Sequence, residues 1–230
     1  MIYVKIIMKV ILGGLFNMNE NVQWVNEKKI EKTINNLEKN NIKGYYAKNN
    51  EELINIIKDI AKEGEMVSVG GSITLFETKV IDLLRSGRYN FLDRYEENLT
   101  PADIKDIFRK SFYADTYFSS ANAITEEGEI FNVDGNGNRV AAILYGPDKV
   151  ILVVGVNKIV KNIDEAVRRN KALSGPANAK RLNTSNPCTK LGYCMDCKSD
   201  DRICCEYTVI KRQRTSNRIH VIFINDVLGF

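Results

Sequence analysis

The chain has 230 residues, and its 33 basic and 29 acidic residues give a formal net charge of +4. This balance argues against a nucleic-acid-binding protein, which usually carries a clustered basic face. The length suffices for one large α/β domain or two small ones with a sizeable core. The single histidine, His220, lies in the apolar segment RIHVIFI, where a half-buried strand residue is favoured over a catalytic base or a metal ligand.

Residues 1–18 differ in pattern from the rest of the chain. Their apolar run is too short for a membrane span, is interrupted by Lys5 and Lys9, and lacks the small-x-small cleavage motif of a signal peptide. We interpret the segment as an extension outside the domain, either translated from an upstream start codon or forming an appended strand, with a signal peptide as the less favoured alternative. Residues 19–230 are then expected to form a single cytoplasmic domain with no membrane association.

Helix and strand signals alternate after Met18. Apolar residues at near-helical spacing predict a helix over residues 22–37 that stops before Gly44. GYYA follows as a short strand, and Asn50 is the expected cap of the next helix. MVSVG is predicted to be a buried strand that runs into one amphipathic helix, GSITLFETKVIDLLRSG. Thr100–Pro101 has the pattern of a helix start.

The second half of the chain continues the alternation. TYFSSANAI, EIFNV and VILVVG are predicted strands, NRVAAILY and DEAVRRNKAL are predicted helices, and TEEG is a candidate hairpin tip. Strands separated by helices are typical of an α/β fold with a mostly parallel sheet and helices on both faces. In such sheets, ligands bind beyond the carboxyl ends of the strands.

The segment VGGSIT, residues 69–74, joins a predicted strand to a predicted helix. Its glycines permit close approach to a ligand, and free amides at a helix start can bind an anion. The segment lacks the lysine of a phosphate loop and the spacing of a dinucleotide fingerprint, so an ordinary strand–helix turn is an equal alternative. The candidate ligand-binding residues here are Gly70, Gly71, Ser72 and Thr74.

The segment DGNGNR, residues 134–139, is the most informative loop in the sequence. Two Asx–Gly pairs followed by an arginine exceed what a simple turn requires. We expect Arg139 to clamp an anion in bidentate fashion, with Asn138 nearby and Asp134 orienting the arginine or a ligand hydroxyl. The alternative is that the loop is only a folding element, in which case replacing Arg139 would lower stability and leave affinity intact.

A third polar loop, GVNK, follows the predicted strand VILVVG. Asn157 and Lys158 end this strand, and Lys158 is a candidate for anion binding if it is not an ordinary surface lysine. Together the three loops predict that a small anionic ligand binds at the strand ends. We find no Ser–His–Asp or Cys–His arrangement, so no catalytic residue is assigned.

All five cysteines lie within residues 187–206, in NPCTKLGYCMDCKSDDRICC. A CxxC motif with further cysteines close by indicates metal binding more than disulfides in a chain without a secretion signal. Zinc and an iron–sulfur cluster both accept four thiolates. Reduced structural thiols or a redox disulfide are the alternatives, and Cys205 is the expected spare. The candidate metal ligands are Cys188, Cys194, Cys197 and Cys204.

From about residue 20 to the end, the chain resembles the LUD-domain family (DUF162), named for lactate utilisation. The resemblance rests on GGSIT, the long segment SSANAITEEGEIFNVDGNGNRVAAILYGPDKVILVVGVNKIV, PANAKRL and the cysteine segment. It implies a fold like that of the sugar-isomerase and CoA-transferase superfamily (NagB/RpiA/CoA-transferase-like). SANAITEEGEI resembles a segment that precedes the active site of the isomerases. Asn122 stands there where those enzymes have an aspartate, which argues against isomerase-type catalysis; we include Asn122 among the candidate ligand-binding residues.

The resemblance leaves two functional hypotheses. The protein is either a subunit or accessory of L-lactate oxidation to pyruvate, with iron–sulfur oxidoreductase subunits as partners, or a free-standing enzyme or binding module for a phosphorylated sugar or nucleotide-like ligand. A homo-oligomer is compatible with both. Whether the chain is itself an enzyme is left open by the sequence.

Overall fold

Helices and strands alternate along residues 19–230, the part of the chain that the computed structural model describes. The interpretation of residues 1–18 lies outside these described residues. The helices are α1 (Glu20–Lys39), α2 (Asn50–Ile60), α3 (Ile73–Glu77), α4 (Val80–Arg85), α5 (Pro101–Lys110), α6 (Asn138–Tyr145), α7 (Ile163–Arg169), α8 (Gly175–Arg181) and α9 (Cys188–Leu191). The strands are β1 (Lys43–Ala47), β2 (Met66–Val69), β3 (Asn90–Leu92), β4 (Thr116–Ser119), β5 (Ala123–Thr125), β6 (Ile130–Asp134), β7 (Lys149–Gly155), β8 (Ile159–Val160), β9 (Glu206–Ile210) and β10 (Ile219–Ile224).

The main sheet has six parallel strands in the order β1-β10-β7-β4-β2-β3. The adjacent interior strands β7 and β10 are buried along almost their whole length, which accounts for their continuous apolar sequences. Helices α1 and α6 cover one face of the sheet, and α2, α3 and α4 cover the other. The predicted α/β architecture with helices on both faces is therefore confirmed.

A smaller sheet lies beside the main one, with the strand order β8-β5-β6-β9. Strands β5 and β6 form the predicted antiparallel hairpin, and Gly128 at its tip adopts a positive φ of 79°. Strand β9 pairs with β6 in antiparallel register from Glu206 opposite Asp134 to Ile210 opposite Ile130. This pairing brings the cysteine segment, which precedes β9, next to the DGNGNR segment, which follows β6.

Several predicted boundaries are wrong for local physical reasons. TYFSSANAI divides into β4 and β5, because the chain leaves the main sheet after Ser119 and joins the smaller one. The predicted helix after MVSVG divides into α3 and α4 at Lys79, whose φ is 56°. Gly44 lies inside β1, where a Cβ atom would come within 2.9 Å of the Ile34 side chain. Asn49 caps α2 in place of Asn50.

Two predictions about single residues agree with the structure. Thr100 forms a capping box with Asp103 at the start of α5. His220 is buried in β10, with Nδ1 3.0 Å from the Tyr45 hydroxyl and Nε2 2.9 Å from the carbonyl of Asn217. Burial lowers the pKa of His220, so the ring is held neutral in a structural position. Among residues 19–230, no helix is long and apolar enough to span a membrane.

Candidate functional site

A cavity of about 310 Å³ opens at the carboxyl-terminal ends of β2, β4 and β7. Strands β2 and β4 are neighbours, yet the chain proceeds from β2 to the edge strand β3 and from β4 to β7 on the other side. A parallel sheet forms a crevice where successive connections run in opposite directions, and ligands bind in it. The cavity occupies this position in the fold.

Lys158 is the buried cation of this cavity. It ends the 3-10 turn Val156–Lys158 after β7, and it is only 3% exposed. Its Nζ atom lies 3.0 Å from Thr74 Oγ1 and 3.0 Å from Ser120 Oγ, and no carboxylate of residues 19–230 forms an ion pair with it. Burial, helped by the positive charges of Arg169 and Arg139, lowers the pKa of Lys158 to about 7. The amine can therefore change charge near neutral pH.

The charge of the cavity lining is strongly positive. Asp134 is the one acidic side chain among the lining residues that the structure describes, and its carboxylate accepts a hydrogen bond from the backbone amide of Arg139. The basic residues that line the cavity are Arg94, Arg139, Lys158, Arg181 and Arg202. A surface of this kind favours an anionic ligand.

Arg94 is the arginine whose position best suits contact with a ligand. Its guanidinium carbon lies 4.5 Å from the centroid of the Phe108 ring and 5.4 Å from that of Tyr95. These cation–π contacts hold the group in place without using its donors. Its Nε atom is buried and has no hydrogen-bond partner among the described residues. The guanidinium is thus positioned but not neutralised.

Ser72 supplies a further unsatisfied group. It precedes α3 and lines the cavity, and its hydroxyl is buried with no hydrogen-bond partner in the described part of the chain. An unpaired buried hydroxyl is costly unless a ligand or water satisfies it. Together with Thr74, Ser120 and Ser174, it gives the cavity four side chains that carry a hydroxyl group.

The structure argues against the predicted clamp by Arg139. Its guanidinium donates to the side-chain oxygens of Asn132 at 2.6 Å and Asn122 at 3.0 Å, and to the carbonyls of Ser120 at 3.3 Å and Val133 at 2.7 Å. A guanidinium has five N–H donors, and four contacts to the protein leave little for a ligand. Arg139 joins the ends of β4 and β6 instead.

Asp134 has a comparable structural role. One carboxylate oxygen accepts hydrogen bonds from the backbone amides of Arg139, at 3.0 Å, and Val140, at 3.1 Å, at the start of α6. Gly137, just before this helix, has a positive φ of 70°. The DGNGNR segment is therefore a helix-starting element that also lines the cavity, with Asn138 among the lining residues. It does not place Asp134 to orient a ligand.

Two predicted ligand residues, Gly70 and Asn157, do not line the cavity. A Cβ atom on Gly70 would lie 2.8 Å from Arg139 Cγ, so this glycine allows the arginine to pack against β2. Asn157 fixes the last residues of the chain, since its side chain contacts the backbone of Leu228 and Gly229. The predicted residues that the structure does bring to the cavity are Gly71, Ser72, Thr74, Asn122, Asp134, Asn138, Arg139 and Lys158.

The sequence interpretation missed Arg94, Ser120, Arg181 and Arg202 as lining residues. Ser120 could have been predicted, because it lies in the segment SSANAIT at a strand end. Arg94 follows the three-residue strand β3, whose short sequence NFL gives little signal. Arg202 reaches the cavity only through the pairing of β9 with β6.

Four of the five cysteines line a second, smaller pocket behind the cavity. They are the four predicted metal ligands, Cys188, Cys194, Cys197 and Cys204, and Arg202 and Ile203 line both pockets. Burial raises the pKa of Cys204 to about 11, whereas a hydrogen bond from Ser199 lowers the pKa of Cys197. Cys205 is exposed and does not line the pocket.

A model of the LUD domain matches residues 30–224. The chain belongs to the LUD-domain family. Its structure is also similar to the crystal structure of a DUF162 family protein from Deinococcus radiodurans, with 15% sequence identity, 88% of this chain and 98% of that chain covered, and a TM-score of 0.48. A comparison with curated proteins gives no match.

The LUD-domain match begins within α1 and ends with the last residue of β10, so it includes every strand of the two sheets. The cavity-lining segments after β2, β4, β6 and β7 all lie within it. The basic cavity and the cysteine pocket are thus both features of the LUD domain as this chain forms it.

Proposed function

We propose that this LUD-domain protein binds a small carboxylate anion, such as a 2-hydroxy or 2-oxo acid, at the ends of β2, β4 and β7. In this proposal it acts as a subunit or accessory of L-lactate oxidation to pyruvate. The observation that carries the proposal is the buried amine of Lys158, which lines a basic cavity and has only two hydroxyl partners among the described residues.

The physical argument is electrostatic. A buried ammonium without a counter-ion is expensive, and this cost is what lowers the pKa of Lys158. An anion that enters the cavity stabilises the ammonium form and also meets the free donors of Arg94 and Ser72. Each of these groups would be better satisfied in the bound state than in the free state. Family membership supports the same assignment, since the LUD domain is named for lactate utilisation.

Calorimetric titration tests this proposal directly. We expect lactate or pyruvate to bind the wild-type protein, and we expect Arg94→Gln to weaken that binding by about tenfold or more, because a charge-assisted contact is lost. Arg212→Gln is the matched control, since Arg212 is exposed and donates to the carbonyl of Lys39, away from the cavity. Equal affinity for both variants and the wild type would contradict the proposal.

A second candidate ligand is a phosphorylated sugar or a nucleotide-like compound. The cavity volume of about 310 Å³ favours it, because this size lies at the lower end of the range for drug-sized ligands and exceeds what a three-carbon acid fills. Sugar phosphates therefore belong in the same titration series. Tighter binding of these compounds than of lactate and pyruvate would replace the first proposal by the second.

The proposed role of the protein in lactate oxidation needs a separate test. A strain without the gene should fail to grow on L-lactate and should grow normally on pyruvate. Affinity purification from the wild-type strain should also recover iron–sulfur oxidoreductase subunits as partners. Normal growth of the deletion strain on lactate would contradict the role in lactate oxidation and would not contradict anion binding.

A further inference from the structure

The cysteine segment forms a pocket that the proposed anion binding does not use. Residues 192–205 contain no helix or strand, yet they fold into a defined loop between α9 and β9. Four thiols from this loop and from α9 face one pocket, together with Pro176, Met195 and Ile203. An irregular loop whose inward side chains are mainly thiols has little apolar surface with which to hold its shape.

Specific contacts place the four cysteines around the pocket. Arg202 donates to the carbonyl of Cys204 at 2.8 Å and to that of Cys197, so it ties both ends of the loop together. The amide of Cys194 donates to the carbonyl of Lys171 at 3.1 Å. These bonds fix the backbone around the pocket. The sulfur of Cys194 accepts a hydrogen bond from the backbone amide of Asp196 at 3.3 Å, a contact that suits a metal-bound thiolate.

The neighbouring residues also suit metal-bound sulfur. The Ser199 hydroxyl lies 3.1 Å from Cys197 Sγ, where it can donate to a thiolate. Gly175 brings its backbone close to Cys204, since a Cβ atom there would lie 3.5 Å from the sulfur. The π-helical turn Asn170–Ser174 immediately precedes Gly175, and such turns are frequent at functional sites.

The number of metal atoms in a centre sets how far apart its thiolate ligands lie. A single zinc ion with bonds of about 2.3 Å draws four sulfurs to within about 3.8 Å of one another. Within residues 19–230, no group of three or more His, Cys, Asp or Glu side chains is arranged to hold one such ion. The four thiols nevertheless line one pocket. A cuboidal cluster binds each thiolate at a different iron atom and therefore takes thiolates that are further apart.

We propose that Cys188, Cys194, Cys197 and Cys204 bind a [4Fe–4S] cluster, with one thiolate on each iron atom. When a preassembled [4Fe–4S]²⁺ core is transferred from a thiolate carrier, four iron–sulfur bonds to the carrier break and four form to these cysteines. The four S–H protons pass to the released carrier thiolates, with no change in oxidation state. Cys205 takes no part, because it is exposed and outside the pocket. Arg202 and Ile203 separate the cluster from the anion cavity and contact both.

The test is the metal content of the full chain purified without oxygen or chelators. We expect about four iron and about four sulfide ions per chain, a broad visible absorption band, and a paramagnetic signal after reduction by dithionite. Single Cys→Ser variants at positions 188, 194, 197 and 204 should each lose most of the iron, and Cys205→Ser, the matched control, should keep it. Circular dichroism of each variant shows whether the α/β domain still folds.

The metal content of the wild-type protein tests the proposal even if the cysteine variants fail to fold. About one zinc ion per chain without iron would overturn the cluster in favour of a single-ion site. Protein without metal, whether its thiols are free or joined in disulfides, would overturn metal binding altogether. Iron retained in folded Cys197→Ser and lost in Cys205→Ser would overturn the ligand assignment. None of these outcomes alters the anion titrations.

Discussion

The amine of Lys158 and the hydroxyl of Ser120 lie 3.0 Å apart at the ends of the adjacent strands β7 and β4. The contact joins a buried cation to a neutral acceptor, so the positive charge is solvated but not neutralised. The same hydroxyl belongs to the residue whose carbonyl accepts a hydrogen bond from Arg139. Two buried cationic side chains thus converge on Ser120, which supports the proposal that the cavity binds an anion.

The pH dependence of stability should reveal the unneutralised charge of Lys158. Its pKa falls from 10.5 in the unfolded chain to about 7 in the folded one, so the folded protein binds fewer protons between these two values. Stability therefore rises with pH across this window, and the destabilisation is complete below it. Lys158→Met removes this effect and should be more stable than the wild type at about pH 6, by on the order of a few kcal/mol.

The advantage of Lys158→Met should shrink steadily from about pH 7 to about pH 10.5, where the amine is neutral in the folded protein and still protonated in the unfolded chain. Urea unfolding at several pH values measures the difference. Lys161→Met is the control, because Lys161 is exposed and close in sequence. A pH-independent difference between wild type and Lys158→Met would show that the amine is not perturbed as described.

Replacement of Arg139 should affect folding more than binding. Arg139→Lys removes a planar group that donates to four oxygen atoms at the ends of β4 and β6, and an ammonium cannot reproduce this geometry. We expect a loss of about 2–4 kcal/mol in the free energy of unfolding. Anion affinity, measured at a temperature where the variant is folded, should change by less than about threefold. A large loss of affinity in a stably folded variant would restore the predicted clamp.

The glycine pair after β2 offers a matched comparison. A Cβ atom at Gly70 would lie 2.8 Å from Arg139 Cγ and 2.9 Å from Ser119 Oγ, whereas at Gly71 the nearest atom is Arg94 Nη1 at 3.8 Å. Gly70→Ala should therefore cost about 1–3 kcal/mol of stability, and Gly71→Ala should change it by less than about 0.5 kcal/mol. Thermal melting of the two variants distinguishes them, and equal melting temperatures would contradict the packing described here.

The sequence predicts the fold well because the signals that define it are local. Apolar runs such as VILVVG identify buried parallel strands, and cap residues such as Thr100 identify helix starts. The breaks within predicted elements were not predictable in the same way. Lys79 takes a left-handed conformation between α3 and α4, and nothing in its neighbours' sequence requires this. The switch of sheets after Ser119 depends on β6 and β8, which are distant partners.

The position of the site was predictable, but the roles of its residues were not. Polar loops at strand ends indicated Lys158 and Ser72 correctly as lining residues, since parallel strands bring their carboxyl ends to one edge. Whether an arginine faces a ligand or the protein depends on tertiary hydrogen bonds. Arg139 has protein partners for its guanidinium and Arg94 does not, although the sequence favoured Arg139. Arg94 is held by Phe108, which lies on α5 and is remote from any motif.

The most direct test of anion binding at Lys158 is the proton uptake that accompanies it. At about pH 8 a group with a pKa of about 7 is mostly neutral, and an anion beside it raises this pKa, so binding should take up close to one proton. Calorimetric titration of pyruvate in buffers with different ionisation enthalpies measures this number. We predict about 0.7–0.9 protons taken up by the wild type and by Lys161→Met, and almost none by Lys158→Met, which should also bind at least tenfold more weakly. Binding with no proton uptake, or with unchanged affinity in Lys158→Met, would contradict the account.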